Sequence, residues 1–251
     1  MPTTALVAGA TGYTGREVVR LLRARKVQVV AHVRPDSSRL DEWTRKFETL
    51  GAIVDSTPWE SDAMAAMVAE RAPDLVFGLL GTTQARARRE AAQGVPKEAN
   101  SYETVDYGMT KMLMSAMEAA SSTGRFVYLS SEGARNAANP SKKPAGAYLD
   151  VRWRIESELE AGPLAWTVAR PSFITGPDRE ESRAAESVGA VFGNAALSLL
   201  GALGAKTTRE RYRSITATQL AAALVHHALA PSSVGKVLRG EDLRGFGPGQ
   251  G

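Results

Sequence analysis

The stretch TALVAGATGYTGREVVRLLRARKVQVVAHVRP, residues 4–35, decides the fold of this chain. It opens on a short apolar run, TALVAGA (4–10), which predicts a buried strand. The part from Arg16 to Arg25 places apolar side chains on one face and arginines on the other, which indicates a helix. A second apolar run, VQVVAHV (27–33), predicts the next strand. A strand, a glycine-rich turn, a helix and a strand in this order are typical of a parallel sheet.

The turn between that strand and helix reads GATGYTG, residues 9–15, with its glycines spaced three apart. Gly9 permits the tight turn out of the strand, and Gly15 lets the helix pack closely on the strand. Gly12 lets the backbone approach a pyrophosphate, whose charge is stabilised by the amino end of the helix. The strand–turn–helix context favours dinucleotide binding over a simple turn. The predicted contact residues are Gly9, Thr11, Gly12, Tyr13, Thr14 and Gly15.

The end of the second strand indicates which dinucleotide is preferred. A carboxylate there would bind the ribose 2′-hydroxyl and repel a 2′-phosphate. This strand ends in AHVRP, so Arg34 occupies the place, and Asp36 lies beyond a proline. A guanidinium suits a phosphate by its charge and by its fork of donors, which favours NADP(H) over NAD(H). The alternative is an arginine that is only solvated.

Alternating strands and helices continue along the rest of the chain. A helix at 39–50 has Ser38 as its predicted cap and Gly51 as its stop, and Ser61 is the predicted cap of a helix at 62–71. Further predicted elements are strands at 52–55, 73–81, 125–131 and 164–176, helices at 106–121, 148–160 and 217–230, and a last strand near GKVLRG (235–240). Near-continuous apolar strands between helices predict an α/β fold with a parallel sheet covered on both faces.

We expect a single domain over residues 1–251, because no internal repeat and no low-complexity linker divides the chain. The C-terminal third adds a small cap, and residues 177–215 supply most of the substrate side. The connection at 84–103 is long and charged. The glycine-rich tail at 245–251 is predicted to be mobile.

The composition excludes several kinds of site. The 251 residues include no cysteine, which rules out disulfides, zinc–thiolate sites and cysteine nucleophiles, and a cytoplasmic location is expected. The net charge of +4 is mild, and an anionic cofactor accounts for it as well as nucleic acid does. The basic clusters at 84–90 and 209–213 carry little aromatic interleaving, so no nucleic-acid partner is expected. His226 and His227 have no acid cluster nearby, which argues against a metal site.

One segment, VGAVFGNAALSLLGALGA at 188–205, contains no charged residue. A bilayer span needs about 20 apolar residues, and this segment is shorter, carries Asn194 and is interrupted by glycines. A buried helix or an interface, including that of a homodimer, is therefore favoured over membrane contact.

A pair of polar side chains in AYLDVRWRIESELE, residues 147–160, has the spacing of an acid/base site. Tyr148 and Arg152 are one helical turn apart on the same face. A free tyrosine has a pKa near 10, too high for efficient proton exchange at neutral pH, and a neighbouring cation favours the tyrosinate. Arginine supplies that charge but not the compact ammonium of lysine. The alternative is an ordinary helix tyrosine beside solvated arginines.

The combination of motifs resembles the atypical short-chain dehydrogenase/reductase superfamily, and within it most the Tat-interacting-protein, or NmrA-like, group. The motifs are GATGYTG, Arg34, LLGTT (79–83), YLSS (128–131), Tyr148 with a basic residue at 152, and ARPSFITGPDREESR (169–183). The resemblance extends from about residue 4 to 240. It implies a Rossmann-type fold, with NADP(H) lying across the carboxyl ends of the strands.

The resemblance also implies roles for individual residues. Ser131 and Tyr148 would flank the reacting carbonyl, and Arg152 would stand where the family usually has lysine. Asp55 would approach the adenine. Further cofactor contacts are implied for Leu80, Gly81, Thr82, Thr83, Ser130, Pro171, Ser172 and Phe173.

Three functions are compatible with these residues. The first is an NADPH-dependent oxidoreductase acting on a small carbonyl or an activated double bond, with Tyr148 as acid, Ser131 as hydrogen-bond donor and Arg152 as charge support. The second is a non-catalytic NADP(H) sensor that acts through a protein partner, for which 188–205 is the candidate surface. The third is an epimerase or dehydratase that uses the same residues, because a fold does not fix its reaction.

Overall fold

The computed structural model describes residues 3–82, 91–92, 94, 96–134, 144–172, 174–175 and 214–246. Several predictions fall outside these residues: Thr83, Phe173, the uncharged segment 188–205, almost all of the substrate side at 177–215 and the tail from residue 247. Among the described residues, no helix combines the length and apolarity that a bilayer crossing requires.

The described part of the chain forms a seven-stranded sheet in which all neighbouring strands run parallel. Its strands are β1 (Thr4–Ala8), β2 (Gln28–His32), β3 (Ile53–Asp55), β4 (Leu75–Gly78), β5 (Arg125–Leu129), β6 (Ala165–Arg170) and β9 (Lys236–Arg239). Two short strands, β7 (Ile174–Thr175) and β8 (Ile215–Thr216), pair with each other separately. The order across the large sheet is β3-β2-β1-β4-β5-β6-β9. This order reverses direction between β1 and β4, as in a doubly wound fold.

Helices cover both faces of the sheet. Those described are α1 (Tyr13–Ala24), α2 (Leu40–Thr49), α3 (Ser61–Arg71), α4 (Thr110–Ala119), α5 (Pro144–Ala161) and α6 (Ala217–Leu229). The apolar side chains of α1, α2 and α6 belong to one core cluster. Those of α3, α4 and α5 belong to a second cluster on the opposite face. The predicted α/β class, with a Rossmann-type doubly wound sheet, is confirmed.

The first strand shows why the apolar runs of this sequence are continuous. Ala5 and Val7 point into one core cluster, whereas Leu6 and Ala8 point into the other. Successive side chains of a strand alternate between the two faces of its sheet. Because helices cover both faces here, all four buried positions of the strand, Ala5 to Ala8, are apolar.

The ends of the helices differ in detail from the predictions. Ser38 does not cap α2, since Arg39 precedes that helix and its N–H lies 3.3 Å from the Ser37 hydroxyl. Ser61 is the first residue of α3 rather than its cap. Gly51 follows the end of α2, as predicted. Local polar residues compete closely for such positions, so sequence alone fixes them poorly.

The helix predicted at 106–121 begins earlier and differently. A π-helix runs over Tyr102–Met109, and the α-helical part is Thr110–Ala119. Its amino end is capped by Ser101, whose side chain accepts from the Thr104 N–H at 3.0 Å. Such wide turns are rare and often lie at functional sites.

Candidate dinucleotide-binding site

The carboxyl edge of the sheet collects the residues singled out in the sequence. The glycine turn follows β1, Arg34 follows β2, Gly81 follows β4, Ser131 follows β5 and Pro171 follows β6. All these strands are parallel, so their carboxyl ends lie at one edge. In open α/β sheets the ligand crevice forms at this edge, beside the point where the strand order reverses.

The glycine turn has no room for side chains at two of its positions. Gly9 has a φ of +85°, and a Cβ placed on it would lie 2.5 Å from the Leu79 carbonyl oxygen. A Cβ on Gly15 would lie 2.1 Å from the Gly9 carbonyl oxygen. The turn is closed by a hydrogen bond from the Gly12 N–H to that same oxygen, at 3.0 Å. This geometry brings the amino end of α1 directly onto the end of β1.

The amino end of α1 suits a diphosphate. Its first turn contains no acidic residue, and the preceding Gly12 is exposed and has no side chain that could cover the backbone. The positive end of the helix dipole therefore faces the crevice, where N–H groups can meet an anion. Thr14 is buried in the same turn, and Thr11 is partly exposed.

The cation at the end of β2 has an acidic neighbour. The Arg34 guanidinium lies 3.3 Å from the Asp36 carboxylate. The Asp36 side chain is 71% exposed, so this pair is solvent-screened and weak. Breaking the Arg34–Asp36 pair would therefore cost little free energy.

Asp55, at the end of β3, has a local role in the structure. Its carboxylate accepts the Thr57 N–H at 2.9 Å and lies 3.5 Å from the Arg71 guanidinium. Burial acts to raise the pKa of Asp55, but hydrogen bonds from Thr57 outweigh it, and the pKa lies below its ordinary value. The carboxylate is thus ionised and tied to its own loop.

Arg152 points into the protein. One guanidinium nitrogen, Nη1, donates to the Leu129 carbonyl at 2.9 Å and to the Tyr128 hydroxyl at 3.2 Å. The other, Nη2, donates to the Leu80 carbonyl at 3.1 Å and pairs with Asp106 at 2.5 Å. These carbonyls follow or end β4 and β5, so Arg152 fastens α5 to the ends of both strands. Burial acts to lower the pKa of Arg152, but its interactions with Tyr128, Tyr148 and Asp106 outweigh burial and raise the pKa above its ordinary value.

Asp106, in the π-helix, completes this arrangement from the other side. One of its oxygens binds Arg152, and the other accepts the Thr82 N–H at 2.9 Å. A Cβ on Gly81 would lie 3.2 Å from Arg152 and 3.5 Å from Asp106, so the ion pair lies directly beneath the loop after β4. The Thr82 hydroxyl oxygen is buried and has no hydrogen-bond partner within the described residues. That hydroxyl remains available to a ligand.

Tyr148 lies on α5, one turn before Arg152. The Arg152 guanidinium is 5.0 Å from the centre of its ring, a cation–π distance, and the Tyr102 ring lies 5.4 Å away on the π-helix. Tyr148 is partly exposed. Among the described residues, its hydroxyl makes no hydrogen bond, to Arg152 or to any other group. The structure therefore brings Tyr148 and Arg152 together through the ring rather than through the hydroxyl.

The two serines after β5 differ in the hydrogen bonds that their hydroxyls make. Ser130 is buried, and its hydroxyl donates to Glu156 of α5. Glu156 in turn accepts from Arg170, at the end of β6, through Nε at 3.0 Å. The Ser131 hydroxyl makes only a long contact, 3.4 Å, with the carbonyl of Glu132. Ser130 is thus part of a buried network, while Ser131 is held loosely.

Sequence reasoning assigned no role to the buried partners in this region: Asp106, Tyr128, Glu156 and Arg170. Glu156 could have been found, because it follows Arg152 by one helical turn and lies on the same face of α5. An acid on an inward-facing stripe needs a partner. The other residues have no comparable local signal.

The rest of the predicted contacts lie at the same edge. The carbonyl of Pro171 accepts the Glu132 N–H at 2.9 Å, which ties the end of β6 to that of β5. Ser172 follows it and is partly exposed. His226 and His227 lie on α6, and His227 contacts Ser233 and the carbonyl of Asp242, both at 2.9 Å. No cluster of potential metal ligands occurs among the residues that the structure describes.

Comparison with known protein families identifies the kind of ligand that the chain binds. A family model described as NAD(P)H-binding matches residues 9–199, which is more than half of the chain. A search of curated protein sequences gives no match. None of the comparisons singles out the Tat-interacting-protein group, so that part of the resemblance stays a prediction.

Solved structures share the fold at low sequence identity. A candidate NAD-dependent epimerase/dehydratase from Bacillus halodurans has a TM-score of 0.65 and 18% identity, over 94% of this chain and 92% of that chain. The anaerobillin reductase ChuY from Escherichia coli O157:H7 has a TM-score of 0.61 and 18% identity, over 94% and 95%. The protein AtPrR2, solved with NADP+ and (+)pinoresinol, has a TM-score of 0.65 and 15% identity, over 97% and 74%.

At these identities the solved structures show the fold, and the family model shows the kind of ligand. The matched region begins at the glycine turn and extends past the end of β6, so it contains the whole described crevice. The chain therefore belongs to the family of NAD(P)H-binding proteins.

Proposed function

We propose that this protein is an oxidoreductase that prefers NADP(H) and transfers a hydride between the nicotinamide and a small carbonyl or activated double-bond substrate. The observation that carries the proposal is the position of Tyr148. It is partly exposed at the carboxyl edge, and its ring is held by Arg152, which is anchored to the ends of β4 and β5. Its hydroxyl is uncommitted within the described residues and can reach a substrate oxygen.

Two regions of the chain would hold different parts of the cofactor in the crevice. The backbone of the glycine turn would hold the diphosphate, and Arg34 would hold the 2′-phosphate. The loop at Gly81 and Thr82, with Pro171 and Ser172, would border the nicotinamide. The bound cofactor supplies the hydride.

The protein's own side chains would manage the substrate oxygen. Tyr148 would give its hydroxyl proton to that oxygen, and Ser131 would donate a hydrogen bond to it, since its present contact at 3.4 Å is weak. The Nη1 and Nη2 atoms of Arg152 donate to the strand ends and to Asp106, so the guanidinium is turned inward. Its Nε is also buried, and it has no hydrogen-bond partner among the described residues. We therefore assign Arg152 to positioning of Tyr148 rather than to contact with substrate.

The proposal is tested by following NADPH oxidation with a panel of aldehydes, ketones and enones. Replacement Tyr148→Phe is expected to lower turnover by on the order of 10²- to 10⁴-fold, the usual contribution of a general acid, with NADPH affinity unchanged. Tyr102→Phe is the matched control, because it alters a neighbouring ring 5.4 Å away and should keep turnover. Full activity in Tyr148→Phe would show that the site is assigned wrongly.

A non-catalytic NADP(H) sensor is the second candidate. The observation in its favour is that Asp106 neutralises Arg152 inside the protein, which weakens charge support for proton transfer. Tight NADPH binding without turnover, together with a protein that associates only with the loaded form, would favour the sensor. An epimerase would instead convert substrate with no net consumption of cofactor, because the hydride returns to the product.

A further inference from the structure

The first turn of α1 contains a cation at a position where helices disfavour one. Arg16 is the fourth residue of α1 and directly follows Gly15. The amino end of a helix carries a partial positive charge, so a guanidinium there is repelled unless an anion is nearby. No carboxylate among the described residues forms an ion pair with Arg16.

Other cations around Arg16 are neutralised. Arg20, one turn further along α1, pairs with Glu17 at 2.9 Å. Arg39 and Lys46 share the Glu42 carboxylate, each at 2.6 Å. Within the described residues, Arg16 thus stands out from these neighbours in lacking an acidic partner.

Aromatic rings fix where the Arg16 guanidinium lies. Its carbon is 5.2 Å from the centre of the Tyr13 ring and 5.8 Å from that of Trp43. Trp43 is buried in the first turns of α2, which begins at the carboxyl edge after β2, as α1 does after β1. The guanidinium is therefore held between the amino ends of α1 and α2, on the β2 side of the glycine turn.

The space between the amino ends of α1 and α2 is where the adenosine ribose is expected. Arg39, whose guanidinium lies 4.9 Å from the same Trp43 ring, lines a cavity of about 360 Å³ at the amino end of α2. Ser37 lines it too, and its N–H donates to the Arg34 carbonyl at 3.1 Å. Arg16 thus contacts, from the α1 side, the same Trp43 ring as Arg39, which lines this cavity.

We propose that Arg16 is a specificity-determining residue that binds the 2′-phosphate of NADP(H) together with Arg34. This rests on the proposed preference for NADP(H). A phosphate monoester carries close to two negative charges at neutral pH, which matches two cations better than one. The diphosphate would lie at the backbone of the glycine turn, whereas the Arg16 side chain extends toward Trp43 of α2. The partner of Arg16 would therefore be the phosphate that NAD(H) lacks.

The test compares two probes, 2′,5′-ADP and 5′-ADP, which differ only in the 2′-phosphate, by calorimetry on the full chain. Arg16→Gln is expected to lower the affinity for 2′,5′-ADP by about tenfold or more, as for loss of one charge-assisted hydrogen bond. The affinity for 5′-ADP should stay within about twofold of the wild-type value. Arg16→Lys keeps the charge without the fork and should fall in between. Arg20→Gln is the matched control on the same helix and should change neither affinity.

The other possible results overturn either this inference or the cofactor preference on which it rests. Equal weakening of both probes in Arg16→Gln means that Arg16 serves the diphosphate or the packing of α1, and the inference is wrong. Unchanged binding of both probes in a folded Arg16→Gln protein has the same consequence. If the wild-type protein binds NADPH and NADH equally, the proposed preference itself fails, and the 2′-phosphate contact fails with it.

Discussion

The carboxyl edge of the sheet has two halves that are built in different ways. In the nucleotide half, at the ends of β1, β2 and β3, backbone amides and partly exposed cations face the crevice, and the Arg34–Asp36 pair is open to solvent. In the reactive half, at the ends of β4, β5 and β6, the charged groups are buried and paired inside the protein. The first arrangement leaves charge available to a ligand, and the second uses charge to fix the positions of protein groups.

The reactive half depends on ion pairs that join separate elements. Arg152 and Asp106 connect α5 to the π-helix, and Arg170 and Glu156 connect β6 to α5. Such pairs gain little net stability over apolar packing, but the loss of one partner leaves an uncompensated buried charge. The comparison therefore predicts large stability effects in the reactive half, and effects on ligand binding in the nucleotide half.

The largest expected effect is that of Asp106→Ala. It leaves the Arg152 guanidinium, 5% exposed, without its counter-charge, and removes the acceptor of the Thr82 N–H. The free energy of unfolding should fall by about 3–5 kcal/mol, measured by urea denaturation. Glu160→Ala, at an exposed position of α5, is the control and should change it by less than about 0.5 kcal/mol.

A double variant separates charge from packing in this pair. Asp106→Leu combined with Arg152→Met removes both charges, and it should recover part of the stability that Asp106→Ala loses. Recovery should be incomplete, because the carbonyls of Leu80 and Leu129 lose their donor. A cost below about 1 kcal/mol for Asp106→Ala would contradict the contrast between the halves, since that is the size of an exposed pair.

The next effect concerns the nucleotide half. Gly15→Ala places a Cβ 2.1 Å from the Gly9 carbonyl oxygen, so α1 must move away from the turn. We expect a loss of about 1–3 kcal/mol in stability, as for overpacking, and loss of measurable NADPH binding. Gly12→Ala is the informative partner. Its Cβ would lie 3.1 Å from the Gly9 carbonyl oxygen, a tight contact that is relieved by a smaller movement than Gly15→Ala requires, so it should impair ligand approach more than stability. Equal NADPH affinity in the wild type, Gly15→Ala and Gly12→Ala would show that the glycine turn does not belong to the binding site.

Local patterns in the sequence were sufficient to predict the sheet and to locate the glycine turn and Arg34 at its carboxyl edge. Strands buried on both faces are mostly apolar, so their runs are visible without knowledge of the strands they pair with. The glycine turn has a fixed geometry within seven residues, and the present Gly9 and Gly15 contacts agree with the predicted reasons for those glycines. Arg34 was noticed because its position after β2 follows from chain order alone.

The reactive half could not be predicted to the same degree, because its contacts are distant in sequence. Arg152 and Asp106 are 46 positions apart, and Arg170 and Glu156 are 14 apart. Helical spacing placed Tyr148 near Arg152, but the direction of the guanidinium depends on carbonyls that only the folded sheet brings together. The π-helix likewise departs from ordinary helical periodicity, so no pattern indicated that Asp106 turns inward.

The smallest expected effect is a pH dependence in the nucleotide half. His32, at the end of β2, is buried beside Trp59, and its Nε2 lies 2.8 Å from the Thr57 carbonyl, so that nitrogen carries the hydrogen. Burial lowers the pKa of His32 below 6.5, while Thr57 and Asp55 act to raise it and Arg34 to lower it. Below about pH 6.5, His32 is therefore protonated in the unfolded chain but still neutral in the folded protein. The free energy of unfolding falls as the pH decreases through this range.

Replacement His32→Gln isolates this contribution, because glutamine can donate to the Thr57 carbonyl but does not titrate. The unfolding free energies of the two proteins should be compared between about pH 8 and pH 5, the range in which histidine changes charge. At the alkaline end the difference should be constant, since neither state of the wild type is protonated at this residue. Toward the acid end the wild type alone loses the His32 contribution, so the curves should converge or cross. Parallel curves over the whole range would mean that His32 titrates equally in both states, and that even this buried group of the nucleotide half is reached by water.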